Sequence, residues 1–351
     1  MTSDNQRDGN FPRILICGLG SIGRRHLRNL KTLGVQELML LRSGKSTLPD
    51  DELEGIPVEH DLQAALKRWQ PDAVVVSNPT SMHVDTAATA LRQGCYVLLE
   101  KPISDALAAI QPLTTAAQKY PGRVLVGFQF RYHPGLARIK KLLQQGAIGR
   151  PLSVSAHWGE YLPGWHPWED FRQSYSARRD LGGGVVNTLS HPIDYLRWLL
   201  GDVREVTAML TADSTLDLEV EDTATLLLAF ESGTHGVVHL NYNQRPPRHA
   251  FEVVGDLGTI CWDNADGAVH WWSEQEPQWR RFDMDEQFER NDLFMAEARH
   301  FLAVIAGDEA PRCPLQDGIR ALEITEAAHQ SQRQGTRMTV HPQVWEQDGE
   351  A

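Results

Sequence analysis

The first part of the chain alternates short apolar runs, rich in β-branched residues, with segments whose apolar residues recur at helical spacing. Gly34, Gly94 and Pro121 supply stop signals after several of these segments. The predicted strands are RILIC, ELMLL, AVVVSN, YVLLE and RVLVGF. The predicted helices are SIGRRHLRNLKTLG, DLQAALKRWQ, HVDTAATALRQG and DALAAIQPLTTAAQKY. Strands that alternate with helices predict an α/β domain with a doubly wound parallel sheet, which we place at residues 11–133.

The pattern changes after the predicted helix GLARIKKLLQQG. Residues 158–175 are rich in Trp and Tyr, and three glycines and a helix over about 188–200 follow. The strands predicted beyond them are VREVTAMLTA, DTATLLLAFE, THGVVHLNY, HAFEVVG, GTICWD, AVHWWSE and QWRRFDM. Helices around 294–306 and 317–333 close the chain. We therefore expect a second α/β domain, at residues 134–345, with an open and largely antiparallel sheet.

Composition narrows the class of protein. A chain of 351 residues exceeds the size of one ordinary core, which agrees with two domains. The formal net charge of -12 argues against a nucleic-acid partner, since phosphate binding needs clustered Lys and Arg. No apolar run is long enough to span a membrane, and the polar start lacks the features of a secretion signal, so we expect a cytoplasmic protein. The four cysteines form no CxxC pair and signal neither zinc nor disulfides.

A glycine-rich turn lies between the first predicted strand and the first predicted helix. GLGSIG places Gly18, Gly20 and Gly23 where a dinucleotide-binding turn requires them. In such a turn the first glycine permits tight folding, the second admits the pyrophosphate, and the third lets helix pack on strand. Ser21 and Ile22 open the helix, whose free N–H groups and dipole favour an anion. We predict that these five residues bind a nicotinamide dinucleotide.

The end of the second predicted strand bears on the choice of dinucleotide. NAD-binding units usually carry a carboxylate there, for the ribose 2′-hydroxyl. This chain has Arg42, Ser43 and Lys45 instead, which suit a 2′-phosphate. We therefore predict NADP, with NAD as the alternative if Arg42 only stacks on adenine or points to solvent.

A second motif, EKP, stands at the end of strand YVLLE as Glu100, Lys101 and Pro102. Ligand crevices of open α/β sheets form at that edge. Together with GLGSIG, NPTSMH at 78–83, and LGGG before SHPIDYLRWLLG, the motif resembles the glucose-fructose oxidoreductase and inositol dehydrogenase (Gfo/Idh/MocA) family over about residues 13–340. The resemblance implies a Rossmann domain followed by an α/β domain whose sheet forms the oligomer interface. It also implies hydride exchange between a nicotinamide and a secondary alcohol of a sugar, cyclitol or nucleotide-sugar, with Lys101 beside both.

The chemistry of alcohol oxidation suits these residue types. Lys101 can hold the reacting oxygen, and His191 can exchange a proton near neutral pH. Relatives often carry an aspartate shortly before this histidine, whereas this chain has Asn187 and Thr188, which we assign to substrate. Either Lys101 and His191 suffice, or the reaction differs, or the protein binds sugar with little turnover. A regulatory sugar-binding protein, and a non-oxidative lyase or glycosidase that uses the nucleotide transiently, are therefore the alternative functions.

Further site residues follow from position. Asn78, Pro79 and His83 come after strand AVVVSN and are predicted to contact the cofactor, with a loop and capping role as the alternative. Arg131 is predicted to bind an anionic group of the substrate. Sugar-binding candidates in the aromatic stretch, which resembles a subgroup of the family linked to acidic or surface-polysaccharide sugars, are Tyr161, Trp165, Arg172 and Tyr175, with Trp168 nearby. The alternative for this stretch is hydrophobic cover or a subunit contact.

Two expectations concern partners and metals. An exposed apolar face on an antiparallel sheet needs cover, so we expect a homodimer or homotetramer formed through the C-terminal sheet. His157, Glu160, His166 and Asp170 have irregular spacing, and we predict no metal site.

Overall fold

The computed structural model describes residues 11–44, 48–167 and 169–340. Lys45, Trp168 and residues 341–345 of the second predicted domain lie outside these ranges. Among the described helices, none is both long and apolar enough to cross a membrane.

A parallel sheet forms the first half of the molecule. Its strands are β1 (Ile14–Cys17), β2 (Leu38–Leu41), β3 (Val58–Glu59), β4 (Ala73–Val76), β5 (Tyr96–Glu100) and β6 (Val124–Gly127). They pair in the order β3-β2-β1-β4-β5-β6, so successive strands are added on one side of β1 up to β3 and on its other side from β4 onward, while all pairings stay parallel. Both central strands are buried along their whole length, which explains their continuous apolar sequences. The predicted doubly wound parallel sheet is confirmed.

Helices cover this sheet as predicted, with one difference in length. The helices are α1 (Ser21–Thr32), α2 (Leu62–Trp69), α3 (His83–Arg92) and α4 (Gln111–Lys119). The prediction of one helix over 105–120 is wrong for its first turns, because α4 begins only at Gln111. Pro112 in the first turn explains the late start, since proline fits there and not inside a helix.

A mixed sheet forms the second half. Its strands are β7 (Pro151–Tyr161), β8 (Val203–Thr211), β9 (Thr223–Phe230), β10 (His235–Asn241), β11 (Asn243–Gly255), β12 (Gly258–Asp263), β13 (Val269–Ser273), β14 (Glu276–Phe282) and β15 (Met338–Thr339). The order is β14-β13-β12-β11-β7-β10-β9-β8-β15, and every pairing but the parallel one of β7 with β10 is antiparallel. This confirms an open, largely antiparallel sheet. The sequence analysis missed its central strand, β7.

Helices pack on one face of this sheet and connect it to the first domain. They are α5 (Pro134–Gln144), α6 (Val185–Thr188), α7 (His191–Leu200), α8 (Arg290–Ala306) and α9 (Leu315–Gln334). Helix α9 packs on β8 and also reaches β6 of the parallel sheet, while α8 contacts α1. The change from one sheet to the other falls between β6 and β7, the interval that contains the predicted division after residue 133.

Candidate functional site

The glycine turn has the geometry that a dinucleotide requires. Gly18 has φ +90°, and a Cβ there would stand 2.5 Å from the backbone nitrogen of Asn78. A Cβ on Gly23 would overlap the Gly18 carbonyl oxygen and stand 2.8 Å from Ser77 Oγ. A Cβ on Gly20 would meet nothing within 4 Å. Two glycines are thus needed for packing, and the third leaves open space at the start of α1, where Ser21 and Ile22 present N–H groups.

Arg42 follows β2 and has a partner that the sequence did not suggest. Its guanidinium forms a bidentate pair with Asp50, at 2.8 and 2.7 Å. The Asp50 side chain is 60% exposed, whereas that of Arg42 is 16% exposed. The buried Arg24 of α1 also reaches Asp50, at 3.3 Å, and contacts the main chain around Pro49. Ser43 is exposed beside this pair.

Asn78, Pro79 and His83 join the ends of two strands. Asn78 Nδ2 donates to Thr86 Oγ1 at 2.9 Å. The His83 imidazole lies 2.8 Å from the carbonyl oxygen of Asn78 through Nε2, and 2.8 Å from that of Pro102 through Nδ1. Burial lowers the pKa of His83, despite these contacts. His83 therefore links the turn after β4, where Pro79 stands, to the EKP segment through main-chain contacts.

The EKP segment is fixed by internal contacts. Glu100 is buried and its Oε1 lies 2.8 Å from His26 Nε2. Its other oxygen accepts the backbone N–H of Lys101 at 3.3 Å. The bond between Lys101 and Pro102 is cis. Glu100 thus holds the main chain of Lys101 from inside the domain.

Lys101 and His191 come together from different domains. Lys101 Nζ donates to the carbonyl oxygen of Thr188 at 2.6 Å, across the boundary between the two sheets. His191 opens α7 three residues later and is buried against the rings of Phe128 and Phe130. Burial, followed by the nearby charge of Lys101, lowers the pKa of His191 well below its usual value. The site therefore combines a lysine with a neutral imidazole.

Asn187 and Thr188 form the short helix α6 beside this pair. Both side chains are buried, and Asn187 Nδ2 lies 3.4 Å from the carbonyl oxygen of Gly182. The Thr188 carbonyl receives Lys101, so Thr188 contributes its main chain to the site. His191 Nδ1 is buried and has no hydrogen-bond partner among the described residues.

Arg131 has partners inside the protein. Its guanidinium pairs with Asp194 at 3.0 and 2.7 Å, and also contacts Asp317 and the carbonyl of Arg312. The side chain is 2% exposed, and that of Asp194 is 1% exposed. Its hydrogen-bonding groups thus join α7 and α9 to the segment after β6. They are engaged there and not in the predicted contact with an anionic group of the substrate.

The other predicted sugar-binding residues lie at the end of β7 and on the segment after it. Arg245 stacks over the Tyr161 ring at 3.9 Å, and Trp165 packs edge-on against Tyr242 at 5.8 Å. Trp165 Nε1 is buried with no hydrogen-bond partner among the described residues. Arg172 stacks on Phe171 and lines a surface depression with residues 177–180 and 217–219. Tyr175 is 37% exposed.

Sequence reasoning missed the acidic partners that complete this arrangement. Asp50 lies eight residues after Arg42, and Asp194 lies in the SHPID segment but 63 residues from Arg131, and no sequence pattern linked either carboxylate to its partner. A local clue existed for His26 alone, which stands three residues after the last glycine of the turn. The residues present fit a nicotinamide dinucleotide, because Gly20 leaves a cradle that a Cβ would fill, next to the start of α1.

Comparison with known proteins gives a consistent result. A family model described as oxidoreductase family, NAD-binding Rossmann fold, matches residues 12–128. A second, described as GFO/IDH/MocA C-terminal domain, matches residues 136–261. The myo-inositol 2-dehydrogenase of Thermotoga maritima is 27% identical over 335 residues, which cover 91% of this chain and 96% of that protein. The D-apiose dehydrogenase of Paraburkholderia graminis is 26% identical and covers 91% of this chain and 87% of its own length.

Solved structures share the fold. A levoglucosan dehydrogenase in complex with NADH and levoglucosan superimposes with a TM-score of 0.83 at 18% identity, covering 93% of this chain and 98% of that one. The WlbA dehydrogenase from Bordetella pertussis, in complex with NADH and UDP-GlcNAcA, gives a TM-score of 0.79 at 21% identity, covering 95% and 99%. With both halves of the chain matched and the glycine turn intact, the protein belongs to the Gfo/Idh/MocA family of NAD-binding oxidoreductases.

Proposed function

We propose that this oxidoreductase interconverts a secondary alcohol and a ketone of a sugar, cyclitol or nucleotide-sugar, with Lys101 and His191 at the reacting oxygen. The observation that carries the proposal is the contact of Lys101 Nζ with the Thr188 carbonyl, at 2.6 Å, which brings the lysine near the imidazole of His191. Relatives named myo-inositol 2-dehydrogenase and D-apiose dehydrogenase support this class of substrate.

The roles follow from the hydrogen-bonding groups of the two side chains. An ammonium group has three donors, and the Thr188 carbonyl occupies one on Lys101, so others remain for a substrate oxygen. His191 is held neutral by burial, so it accepts a hydrogen bond from a hydroxyl group and orients it. Bound nicotinamide supplies the hydride acceptor or donor. With Asn187 and Thr188 in place of a carboxylate, Lys101 exchanges the proton: its ammonium form gives a proton to the ketone oxygen in reduction, and its neutral amine form takes the proton of the alcohol in oxidation.

The cofactor in this proposal is NADP(H). Residues expected to hold it, on the two sides of the glycine turn, are Gly18, Gly20, Ser21, Ile22, Gly23, Arg42, Ser43, Asn78, Pro79, His83, Glu100, Lys101 and Pro102. Arg42 is the group that distinguishes the two dinucleotides, since its planar guanidinium suits a phosphate. The Asp50 carboxylate now pairs with it, and a 2′-phosphate would compete for the same guanidinium. Asp50 is exposed and can turn away to solvent.

The substrate is expected to contact the end of β7, at Tyr161, and the segment after it, which carries Trp165, Arg172 and Tyr175. Trp165 is the best placed of these, because its buried Nε1 has a donor without a partner among the described residues. A buried donor of this kind is costly unless a ligand or water satisfies it.

We further propose a homodimer or homotetramer, formed through the face of the mixed sheet opposite the helices. Met209, Leu227 and Val237 are exposed on it by 71, 51 and 39%. Leu227 and Val237 are direct cross-strand neighbours, so the apolar patch is continuous. All four cysteines are free thiols, which agrees with a reducing, cytoplasmic location.

The test is to measure turnover of a panel of sugars and cyclitols with each dinucleotide, using the absorbance of the nicotinamide to monitor the reaction. Lys101→Ala should abolish the absorbance change while retaining NAD(P)H binding, because Lys101 acts on the substrate oxygen and the glycine turn makes its own contacts to the dinucleotide. Retained turnover in this variant would exclude the role. Product formed without net absorbance change would point to a lyase or glycosidase, and sugar binding without product to a binding protein.

A further inference from the structure

Three titratable side chains meet behind the EKP segment. They are His26 on α1, Glu100 at the end of β5, and Glu297 on α8. One nitrogen or oxygen atom from each lies within 4.8 Å of the others, and all three side chains are buried. The cluster therefore joins α1 and β5 of the first domain to α8 of the second.

Glu100 has the surroundings of an ionised carboxylate. One oxygen lies 2.8 Å from His26 Nε2 and the other accepts the Lys101 backbone N–H. Burial opposes ionisation, but the His26 hydrogen bond and nearby positive groups outweigh it, so the pKa of Glu100 is lowered. A charged acceptor makes a stronger hydrogen bond to the Lys101 amide than a neutral one.

Glu297 has the opposite surroundings. It is 0% exposed, and neither carboxylate oxygen has a hydrogen-bond partner among the described residues. The groups that face it are Glu100 and His26, and from the segment after β6 the Tyr132 hydroxyl, which also lacks a partner there. Arg25, the nearby cation on α1, stacks instead over the ring of Phe294 at 4.7 Å. Burial, followed by the charge of Glu100, raises the pKa of Glu297 well above its usual value.

We propose that Glu297 is a positioning residue that keeps its proton in the folded enzyme, so that Glu100 remains the single anion of the cluster and holds the main chain of Lys101. Two buried carboxylates this close cannot both be ionised without a cation between them. If Glu297 lost its proton, Glu100 would be the group driven to take one up, and its bond to Lys101 would weaken. The positioning role rests on the function proposed for Lys101, whereas the protonation state does not.

Infrared spectroscopy of the full chain without substrate tests the protonation directly. A protonated carboxylic acid has a carbonyl-stretch band that carboxylates and amides lack. We expect this band at pH 7 in the wild type and its loss in Glu297→Gln. Glu323→Gln is the matched control, because Glu323 is equally buried but paired with Arg320 at 3.0 Å, and its substitution should leave the band in place.

The pH profile of turnover tests the link to Lys101. Gln is a neutral isostere of a protonated Glu, so Glu297→Gln should keep kcat near neutral pH within about threefold of the wild type. At alkaline pH the wild type should lose kcat as Glu297 ionises. In Glu297→Gln this loss should start about one pH unit higher.

Three results would overturn the proposal. One is the absence of the acid band from the wild type at pH 7. Another is a loss of kcat at alkaline pH that begins at the same pH in Glu297→Gln as in the wild type. The third is one equivalent of a divalent metal in the purified wild type, lost in Glu297→Gln, since a metal would require an ionised Glu297. Failure of the proposed function shows differently, as full turnover in Lys101→Ala with the infrared band unaffected.

Discussion

Gly20 and Gly23 stand three residues apart in one turn, yet the structure predicts different outcomes when each receives a methyl group. At Gly20 a Cβ would meet no atom within 4 Å, and φ is -72°, which any residue adopts. Gly20→Ala should therefore leave the free energy of unfolding nearly unchanged. A lower entropy of the unfolded chain, worth about 0.4–1 kcal/mol, offsets the weaker helix-capping preference of alanine.

The affinity of Gly20→Ala for the dinucleotide, in contrast, should fall. The new methyl group of Gly20→Ala would fill the space through which a pyrophosphate approaches the free N–H groups of α1. Hydrogen bonds to a charged group are worth about 1.5–3 kcal/mol each, so losing one lowers affinity by roughly 10- to 100-fold.

Gly23→Ala supplies the contrast. Its Cβ would overlap the Gly18 carbonyl oxygen and crowd Ser77, so α1 must move away from β1. Overpacking of this kind costs about 1–3 kcal/mol, which corresponds to a fall in Tm of roughly 1–4 °C for a chain of this length. Thermal unfolding and fluorescence titration with NADH and NADPH measure both quantities on the same samples. Equal loss of stability in the two variants, or unchanged affinity in Gly20→Ala, would refute the assigned roles.

Three further predictions concern charged groups. Asp50→Asn should free Arg42 and increase the preference for NADPH over NADH by roughly 3- to 10-fold, as measured by titration with both dinucleotides, because a 2′-phosphate would no longer compete with the Asp50 carboxylate for the guanidinium. Asp194→Asn should lower the free energy of unfolding by about 3–5 kcal/mol in denaturant titrations, because it leaves buried Arg131 without its main partner. Burial lowers the pKa of His133 to about 4, so the protein should lose stability as the pH falls from 6.5 towards 4, and His133→Asn, which can still cap α5, should reduce that slope.

Each of these predictions has a result that contradicts it. An Asp50→Asn variant with an unaltered ratio of affinities would show that Arg42 does not discriminate between the dinucleotides. An Asp194→Asn variant as stable as the wild type would mean that the buried pair adds little. A pH slope that is the same in His133→Asn would assign the acid sensitivity to other buried histidines, such as His249 and His191, whose pKa values burial also lowers.

Local patterns predicted the first domain well, because its strands are buried on both faces and its glycines act through main-chain geometry. The signal failed where contacts join distant parts of the chain. Arg131 finds Asp194 and Asp317, 63 and 186 residues away, and no spacing rule relates them. Strand β7 was missed because exposed serines alternate with its buried residues. Serine-rich segments are typical of loops. Glu297 carries no sequence signal, since only the packing of α8 on α1 places it beside Glu100.

The contact between Lys101 and Thr188 also has a consequence for how substitutions alter the substrate specificity of such an enzyme. The dinucleotide turn and the lysine belong to one structural unit, and the histidine and the aromatic segment belong to another. Substitutions in the second unit can therefore reshape the proposed sugar pocket without altering the contacts that bind the dinucleotide. The single main-chain carbonyl that receives Lys101 sets the limit on this freedom, because it depends on the path of α6 and not on the identity of any side chain.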